Sequence, residues 1–153
     1  HSLLITPKYS SFVFLFELFT DIECDSLPKE VVHCEHCGRC ISACPTFLKG
    51  NGECLSAISQ KKGTLSPIEA QHLIDANTAW GCDICQLACP HTQRAIKEKT
   101  IYSSLDWFNS NILPFPTEET INNSLDFQNR AYSWRGKSTI LRNINLLSLR
   151  QDE

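Results

Sequence analysis

The sequence contains no methionine, and its formal net charge is only -3 over 153 residues. Its longest apolar run, FVFLFELF at residues 12–19, is interrupted by Glu17 and is far shorter than the roughly 20 residues that a membrane-spanning helix needs. The start of the chain has neither the charged segment nor the small-residue cleavage site of a secretory leader. These absences predict a soluble domain without a membrane span. The unpaired cysteines described next, with the oxygen-sensitive clusters that they would hold, predict a reducing compartment, the cytoplasm.

Cysteine is abundant instead, with nine in the chain. Seven of them fall into two runs of similar spacing, HCEHCGRCISACP with Cys34, Cys37, Cys40 and Cys44, and GCDICQLACPH with Cys82, Cys85 and Cys89. In the second run, Ala79 stands at the position of a leading cysteine. The spacing C-x2-C-x2-C-x3-C-P is typical of bacterial ferredoxins, so the sequence predicts two 4Fe-4S clusters.

Two other uses of cysteine explain this pattern less well. Nine is an odd number for disulfides, and thiols three residues apart bridge with difficulty in regular structure. Zinc sites usually pair two C-x2-C knuckles or combine cysteine with histidine, which does not fit three thiols in a row followed by C-x3-C-P. The cysteines already fill two clusters, so no role is assigned to His33, His36, His72 or His91.

A short loop reaches only three corners of a cubane cluster, so the last cysteine of each run is expected to bind the cluster of the other run. The first cluster would then be held by Cys34, Cys37, Cys40 and Cys89. The second would be held by Cys82, Cys85, Cys44 and a fourth thiol, for which Cys54 and Cys24 are both available. The position of Cys54 between the runs favours Cys54, which leaves Cys24 as a buried or half-buried thiol without a ligand role.

The predicted fold class is α+β, with a ferredoxin-like double 4Fe-4S cluster domain at residues 24–95, a short N-terminal strand pair and a helical, partly basic tail at residues 96–153. The strand pair consists of SLLI and FVFLFELF, and the second of these reads as a buried strand. Two strands are too few for a stable sheet, so residues 1–23 are expected to be the end of an upstream domain that precedes His1.

Three helices have sequence signals at their ends. LSPIEAQHLID predicts a helix with Ser66 as N-cap, Pro67 and Glu69 in the first turn, an apolar face of Ile68, Leu73 and Ile74, and an end at Gly81. PHTQRAIKEK predicts a short helix directly after the second run, and Thr117 is expected to cap a helix over residues 117–126. The core is small, so the clusters are expected to contribute much of the folding free energy.

Several segments together resemble the epoxyqueuosine reductases, the cobalamin-dependent iron–sulfur enzymes that complete queuosine in tRNA. These are SLLITPKYSSFVFLFELFTDI, the first cysteine run, CLSAIS and WGCDICQLACP, and the resemblance extends more weakly to FQNRAYSWRGKSTILRN at residues 127–143. The resemblance implies that Cys54 binds the second cluster, that Ser56, Cys82 and Asp83 line the cobalamin side of that cluster, and that Lys61 or Lys62 approaches tRNA. The loop before Cys54 is shorter than the family pattern.

RNA contact is also suggested by residues of the C-terminal tail. Arginine and lysine alternate there with aromatic residues, a combination that suits phosphate pairing and base stacking: Arg130, Arg135, Lys137 and Arg142 with Phe127, Tyr132 and Trp134. The alternative is an amphipathic surface segment whose aromatic side chains pack on the core, and the net charge of -3 gives RNA binding no extra weight.

The resemblance implies a monomeric oxidoreductase that reduces epoxyqueuosine to queuosine in tRNA, using electrons relayed through two 4Fe-4S clusters to cobalamin from a ferredoxin or flavodoxin. The cobalamin-binding domain and its catalytic acid would precede His1, so no catalytic residue is assigned and this chain alone is expected to be inactive. Two alternatives stay open: a ferredoxin-like electron-transfer module without chemistry of its own, and a related corrinoid iron–sulfur reductase with another substrate. The strand pair and the basic tail favour the enzyme over the carrier.

Overall fold

The computed structural model of the chain describes residues 3–23, 32–50, 52–101, 116–123 and 127–148. Within these ranges the secondary structure is helical. The α-helices are α1 (Arg39–Ala43), α2 (Leu55–Gln60), α3 (Pro67–Asp75), α4 (Ile84–Leu87), α5 (Pro90–Lys97), α6 (Glu118–Asn122) and α7 (Lys137–Ser148). Single 3-10 turns lie at Phe47–Lys49 and Ser133–Arg135. None of the described helices combines the length and the apolar character needed to cross a membrane.

The predicted N-terminal strand pair is not formed. Residues 3–23 contain an isolated antiparallel bridge between Thr6 and Ser10 and no strand. The run at residues 12–19 has no assigned secondary structure, and residues 14–19 are exposed rather than buried, with Phe14 99% exposed. The α+β class is therefore wrong for the described residues. A strand needs a hydrogen-bonded neighbour, and nothing in the described part of the chain supplies one to this run.

Helix α3 begins as predicted and ends early. The Ser66 side chain accepts a hydrogen bond from the Glu69 backbone N–H, while the Glu69 carboxylate accepts from the Ser66 backbone N–H at 2.7 Å, which completes a capping box. The helix stops at Asp75, so the prediction that Gly81 ends it is wrong. Leu73 is buried and Ile74 is half-buried, but Ile68 is exposed and does not belong to the apolar face.

The two other helix predictions agree with the structure at their N-terminal ends. Helix α5 follows the second cysteine run directly, and Thr117 caps α6 by accepting a hydrogen bond from the Thr120 backbone N–H. Helix α6 ends at Asn122, which is short of the predicted range, and residues 124–126 lie outside the described part of the chain.

Two small apolar clusters form the core. The first consists of Leu55, Ile58, Leu65 and Leu73, and the second consists of Ile121, Phe127 and Ile140. Helix α7 contacts α2, α3 and α6 and contributes to both clusters. The C-terminal helix therefore joins the segment around Cys54 to the rest of the molecule.

The N-terminal segment is held against α5 by hydrogen bonds. The Ser10 and Thr92 hydroxyls lie 2.8 Å apart in a buried position, and the Thr100 hydroxyl donates to the Lys8 carbonyl at 2.7 Å. These contacts place Ile5 beside the end of the second cysteine run, where it lines a cavity described below.

Candidate metal centre

Three cysteines of the first run and the last cysteine of the second run surround one cavity of about 110 Å³. We call Cys34, Cys37, Cys40 and Cys89 the first quartet. The other cavity-lining residues include Ile5, Ile41 and His91, so the thiols lie in a partly apolar setting. Cys89 lies 49 or more residues along the sequence from the other three, so cysteines of both runs line this one cavity.

Local backbone conformation explains how the first run curls around this cavity. His36 and Gly38 both have positive φ, at 51° and 74°, and Gly38 caps α1 in the left-handed region, where a residue with a Cβ would be strained. The turn allows the His36 backbone N–H to donate to Cys34 Sγ at 3.4 Å, and this bond lowers the pKa of Cys34. Cys89 caps α5 and is followed by Pro90 at the first helical position.

A second group of four thiols consists of Cys44, Cys54, Cys82 and Cys85, which we call the second quartet. Burial raises the pKa of Cys82, and the nearby Cys54 and Cys44 raise it further. Burial also raises the pKa of Cys85, with additional contributions from Cys82, Cys44 and Cys54. The four side chains therefore lie within electrostatic reach of one another. Cys24, the competing candidate, lies outside the described residues.

Ala79 occupies the place of the missing cysteine for a structural reason. Its side chain packs against the apolar cluster of Ile121, Phe127 and Ile140. Its carbonyl accepts a hydrogen bond from Asn143 Nδ2 at 2.7 Å, and the same amide group donates to the Ser59 carbonyl at 2.7 Å. The Gly81 backbone N–H in turn donates to Ser59 Oγ at 3.0 Å. Asn143 thereby ties the helix after Cys54 to the segment before Cys82.

The number and type of the thiol donors match what two cubane clusters need. The eight described cysteines form no disulfide with one another. They occur as two sets of four, and a cubane cluster takes one thiolate at each of four iron corners. The donor set therefore fits the group that the spacing predicts.

The residues predicted to face cobalamin lie at or near the second quartet. Ser56 lines an open basin of about 640 Å³ together with Cys54, Lys61 and Arg135. Its hydroxyl accepts a hydrogen bond from Gln60 Nε2 at 3.0 Å. Asp83 caps α4 between Cys82 and Cys85, and its carboxylate accepts a hydrogen bond from the Gln86 side chain.

The basic residues predicted to contact RNA have different surroundings. Lys61 Nζ lies 2.5 Å from the Glu69 carboxylate, which raises the pKa of Lys61. Arg142 donates to the Lys61 and Gly63 carbonyls, and burial lowers the pKa of its guanidinium, so it binds this chain rather than facing outward. Lys62 is exposed.

The other three basic residues predicted to contact RNA lie in or beside the 3-10 turn at Ser133–Arg135; they are Arg130, Arg135 and Lys137. Arg135 lies over the Trp134 ring at 4.0 Å, and Lys137 donates to the Asn122 carbonyl at 3.2 Å. Arg130 is half-buried. Of the three aromatic residues, Phe127 and Tyr132 pack in the second apolar cluster, while Trp134 is exposed. The core-packing alternative therefore holds for two of the three rings.

His91 is a residue to which the sequence assigns no role, and the structure places it in the wall of the first cavity. It is 8% exposed. Its Nδ1 lies 3.2 Å from an Arg94 guanidinium nitrogen, and its Nε2 lies 3.3 Å from Glu35 Oε1. The sequence signal was its position two residues after Cys89, but a lone histidine there gives no indication of burial.

Residues 33–92 match the family described as a 4Fe-4S double cluster binding domain. The chain is 33% identical to the epoxyqueuosine reductase of Lactococcus garvieae, over 94% of this chain and 43% of that protein. It is 32% identical to the epoxyqueuosine reductase of Listeria monocytogenes, over 98% of this chain and 41% of that protein.

A solved structure of epoxyqueuosine reductase from Streptococcus thermophilus is similar in fold, with a TM-score of 0.71 and 29% identity. The match covers 99% of this chain and 41% of that one. The chain thus spans about two fifths of the length of the relatives that it matches. By sequence and by fold the chain is a homologue of the epoxyqueuosine reductases over that part of their length, and its residues 33–92 match the double 4Fe-4S cluster binding domain.

Proposed function

We propose that this chain binds two 4Fe-4S clusters, one in the first quartet and one in the second, and serves as the iron–sulfur part of an enzyme that reduces epoxyqueuosine to queuosine in tRNA. The observation that carries the proposal is the sorting of eight cysteines into two sets of four, each of which draws on both runs. The similarity to epoxyqueuosine reductases supports the substrate.

In this proposal the thiolates of the two quartets hold the iron atoms, and Cys54 completes the second cluster. Ser56, Cys82 and Asp83 form one wall of a cobalamin site, supported by the open basin beside Cys54. When bound, the clusters supply one-electron transfer and cobalamin supplies the reduction at carbon. The chain's own contribution is to hold these groups close together and to restrict water around the half-buried thiols Cys82 and Cys85.

The rest of the cobalamin site and the catalytic acid belong, in this proposal, to an upstream corrinoid-binding domain of which residues 1–23 are the end. The exposed apolar run at residues 12–19 supports this, because Phe14, Phe16 and Phe19 are each at least 87% exposed and would be covered by such a domain. Residues 24–95 are then the cluster domain and residues 96–153 the tail. The assembled enzyme is a cytoplasmic monomer that receives electrons from a ferredoxin or flavodoxin.

For tRNA, the structure favours the surface around the basin beside Cys54. Lys61 and Arg135 line it, and Lys62 is the exposed neighbour of Lys61. Arg135 with the exposed Trp134 ring offers a cation next to a flat apolar face, which suits a phosphate next to a base. The proposal also assigns RNA contact to Arg130 and Lys137, while Arg142 contributes by holding the Lys61 loop in place.

Iron analysis tests the cluster part of the proposal. Chain reconstituted without oxygen should contain about eight irons and show two reducible 4Fe-4S centres. A value near four irons, or stoichiometric zinc after growth with ample iron, would refute it.

Activity tests the enzymatic part. The chain alone should not convert epoxyqueuosine in tRNA, and supplying the upstream corrinoid-binding domain of a relative should restore conversion. A chain that holds both clusters and reduces partner proteins, but gives no conversion with any such domain, would instead be an electron-transfer module. Conversion of a different substrate by the assembled enzyme would identify it as a related corrinoid reductase.

A further inference from the structure

The buried ring of His91 has one nitrogen with a partner and one without. Arg94 NH2 lies 3.2 Å from Nδ1, and a guanidinium can only donate hydrogen bonds. Nδ1 must therefore accept, which places the ring proton on Nε2. The contact with Arg94 thus fixes His91 as a donor through Nε2–H, the nitrogen on the far side of the ring from Arg94.

Nε2 finds no acceptor in the part of the chain that the structure describes. It is buried and makes no hydrogen bond, although Glu35 Oε1 lies 3.3 Å away, at ion-pair distance. A buried donor left without an acceptor destabilises the fold, because it has lost its hydrogen bond to water. The Nε2–H of His91 therefore lacks the hydrogen bond that a buried donor needs, and a group bound in the cavity could accept one.

The acceptor is indicated by the place of His91 in the fold. The ring lines the cavity of the first quartet and follows Cys89 and Pro90 directly at the start of α5. The first run has a matching position, because Thr46 follows Cys44 and Pro45, is fully buried, and has a hydroxyl with no partner within the described ranges. Both runs therefore place a buried donor next to the cysteine that crosses to the other run's cluster.

We propose that His91 Nε2–H donates a hydrogen bond to a sulfur of the first cluster and raises its reduction potential. This inference rests on the proposed cluster in the first quartet. A cluster sulfur becomes a stronger acceptor when the cluster gains an electron, so a donor stabilises the reduced state more than the oxidised state. The bond requires no proton transfer, because Nε2 keeps its proton while one electron enters the cluster.

Redox titration of the reconstituted chain, followed by electron paramagnetic resonance, tests this. His91→Phe should make the potential of one of the two one-electron couples more negative by about 59 mV. This shift corresponds to a roughly tenfold smaller equilibrium constant for reduction. His91→Gln places an amide N–H near the position of Nε2 and should recover most of the shift. His72→Phe, which removes a histidine from α3, should move neither couple.

A second readout reports the contact itself. In chain whose histidines carry 15N in the imidazole ring only, pulsed electron paramagnetic resonance of the reduced first cluster should show a nitrogen coupling that His91→Phe removes and His72→Phe retains. Two reducible clusters with unchanged potentials in His91→Phe and no such coupling would overturn the inference and leave the proposed function intact. A wild-type chain without a cluster in the first quartet would instead refute the proposed function. If His91→Phe loses iron, the nitrogen coupling in the wild-type chain and the potential of His91→Gln still test whether His91 donates to the first cluster.

Discussion

The two thiol quartets are built from the same kind of cysteine run but differ in what holds them. The first is a continuous turn with positive φ at His36 and Gly38, closed by one distant thiol, Cys89. The second collects thiols from three places along the chain and depends on packing: Cys54 stands at the start of α2, whose next residue, Leu55, is buried in the core. The first site is thus specified locally, and the second is specified by tertiary structure.

Ala79 shows what this difference means. A second run with all its cysteines would form a continuous turn like the first, but the backbone at position 79 is hydrogen-bonded to α7 and its side chain belongs to the core. The second site therefore takes Cys54 from elsewhere and needs α7 to keep Cys54 near Cys82. Substitutions that affect tertiary packing should damage the second site and spare the first.

The largest effect is expected from removing the thiol of Cys54, the member of the second quartet that lies outside both cysteine runs. Cys54→Ser should lose the second cluster or convert it to a three-iron form, while the first cluster survives, because one iron corner has no thiolate. The measurement is iron content with electron paramagnetic resonance, on protein purified without oxygen. Cys24→Ser is the matched control and should keep both clusters. Full clusters in Cys54→Ser with a deficit in Cys24→Ser would assign the fourth ligand to Cys24.

The next largest effect should come from Asn143. Asn143→Leu removes one buried and one partly buried hydrogen bond and leaves the Ser59 and Ala79 carbonyls without that donor, so the free energy of unfolding should fall by about 2–4 kcal/mol. Urea unfolding measures this change, and the second cluster should be lost before the first. Asn145→Leu, at an exposed position of the same helix, should change stability by less than about 0.5 kcal/mol. Equal effects of the two substitutions would contradict the role of Asn143.

A smaller effect is expected at the start of α3, which affects neither quartet directly. Ser66→Ala removes the N-cap acceptor and should lower the free energy of unfolding by about 1 kcal/mol. Thr64→Ala, at an exposed loop position nearby, serves as the control and should have almost no effect. A Ser66→Ala protein as stable as the wild type would show that the capping box contributes nothing.

The same cap gives a pH dependence. The hydrogen bond from Lys61, with those from Ser66, lowers the pKa of Glu69 to about 2, from an ordinary value of 4.5. Because the folded pKa is depressed, the stability that Glu69 contributes is present above pH 4.5 and is lost as pH falls toward 2. The difference in free energy of unfolding between wild type and Glu69→Gln, measured by urea unfolding, should therefore shrink as the pH falls below 4.5. A difference that stays constant there would contradict the depressed pKa.

The smallest effect distinguishes the quartets by thiol reactivity. The backbone N–H of His36 lowers the pKa of Cys34, whereas burial raises the pKa of Cys82 and Cys85. In metal-free chain, Cys34 should carry more thiolate at a given pH and react with iodoacetamide at lower pH than the other two. Mass spectrometry of peptides at successive pH values measures the three rates. Equal pH profiles would show that the local hydrogen bond does not distinguish the sites.

The sequence was most informative where structure is local. The caps at Ser66 and Thr117 depend on neighbouring residues alone, and both are confirmed. The buried strand at residues 12–19 was wrong because its burial depends on a partner that the described residues do not contain. The burial of His91 and the hydrogen bonds of Asn143 were invisible to sequence reasoning, since each joins residues far apart in the chain or depends on a cavity formed by folding.

The exchange of the last cysteine between the runs is the central claim, and iron content in paired substitutions tests it most directly. Cys34→Ser and Cys89→Ser should each remove the first cluster or convert it to a three-iron form. The double variant should lose the first cluster and retain about four irons, because both substitutions affect the same cluster. Cys82→Ser combined with Cys89→Ser should remove both clusters. The account would be contradicted if the double variant Cys34→Ser with Cys89→Ser lost nearly all its iron while the double variant Cys82→Ser with Cys89→Ser kept about four irons. That result would show that each run binds its own cluster.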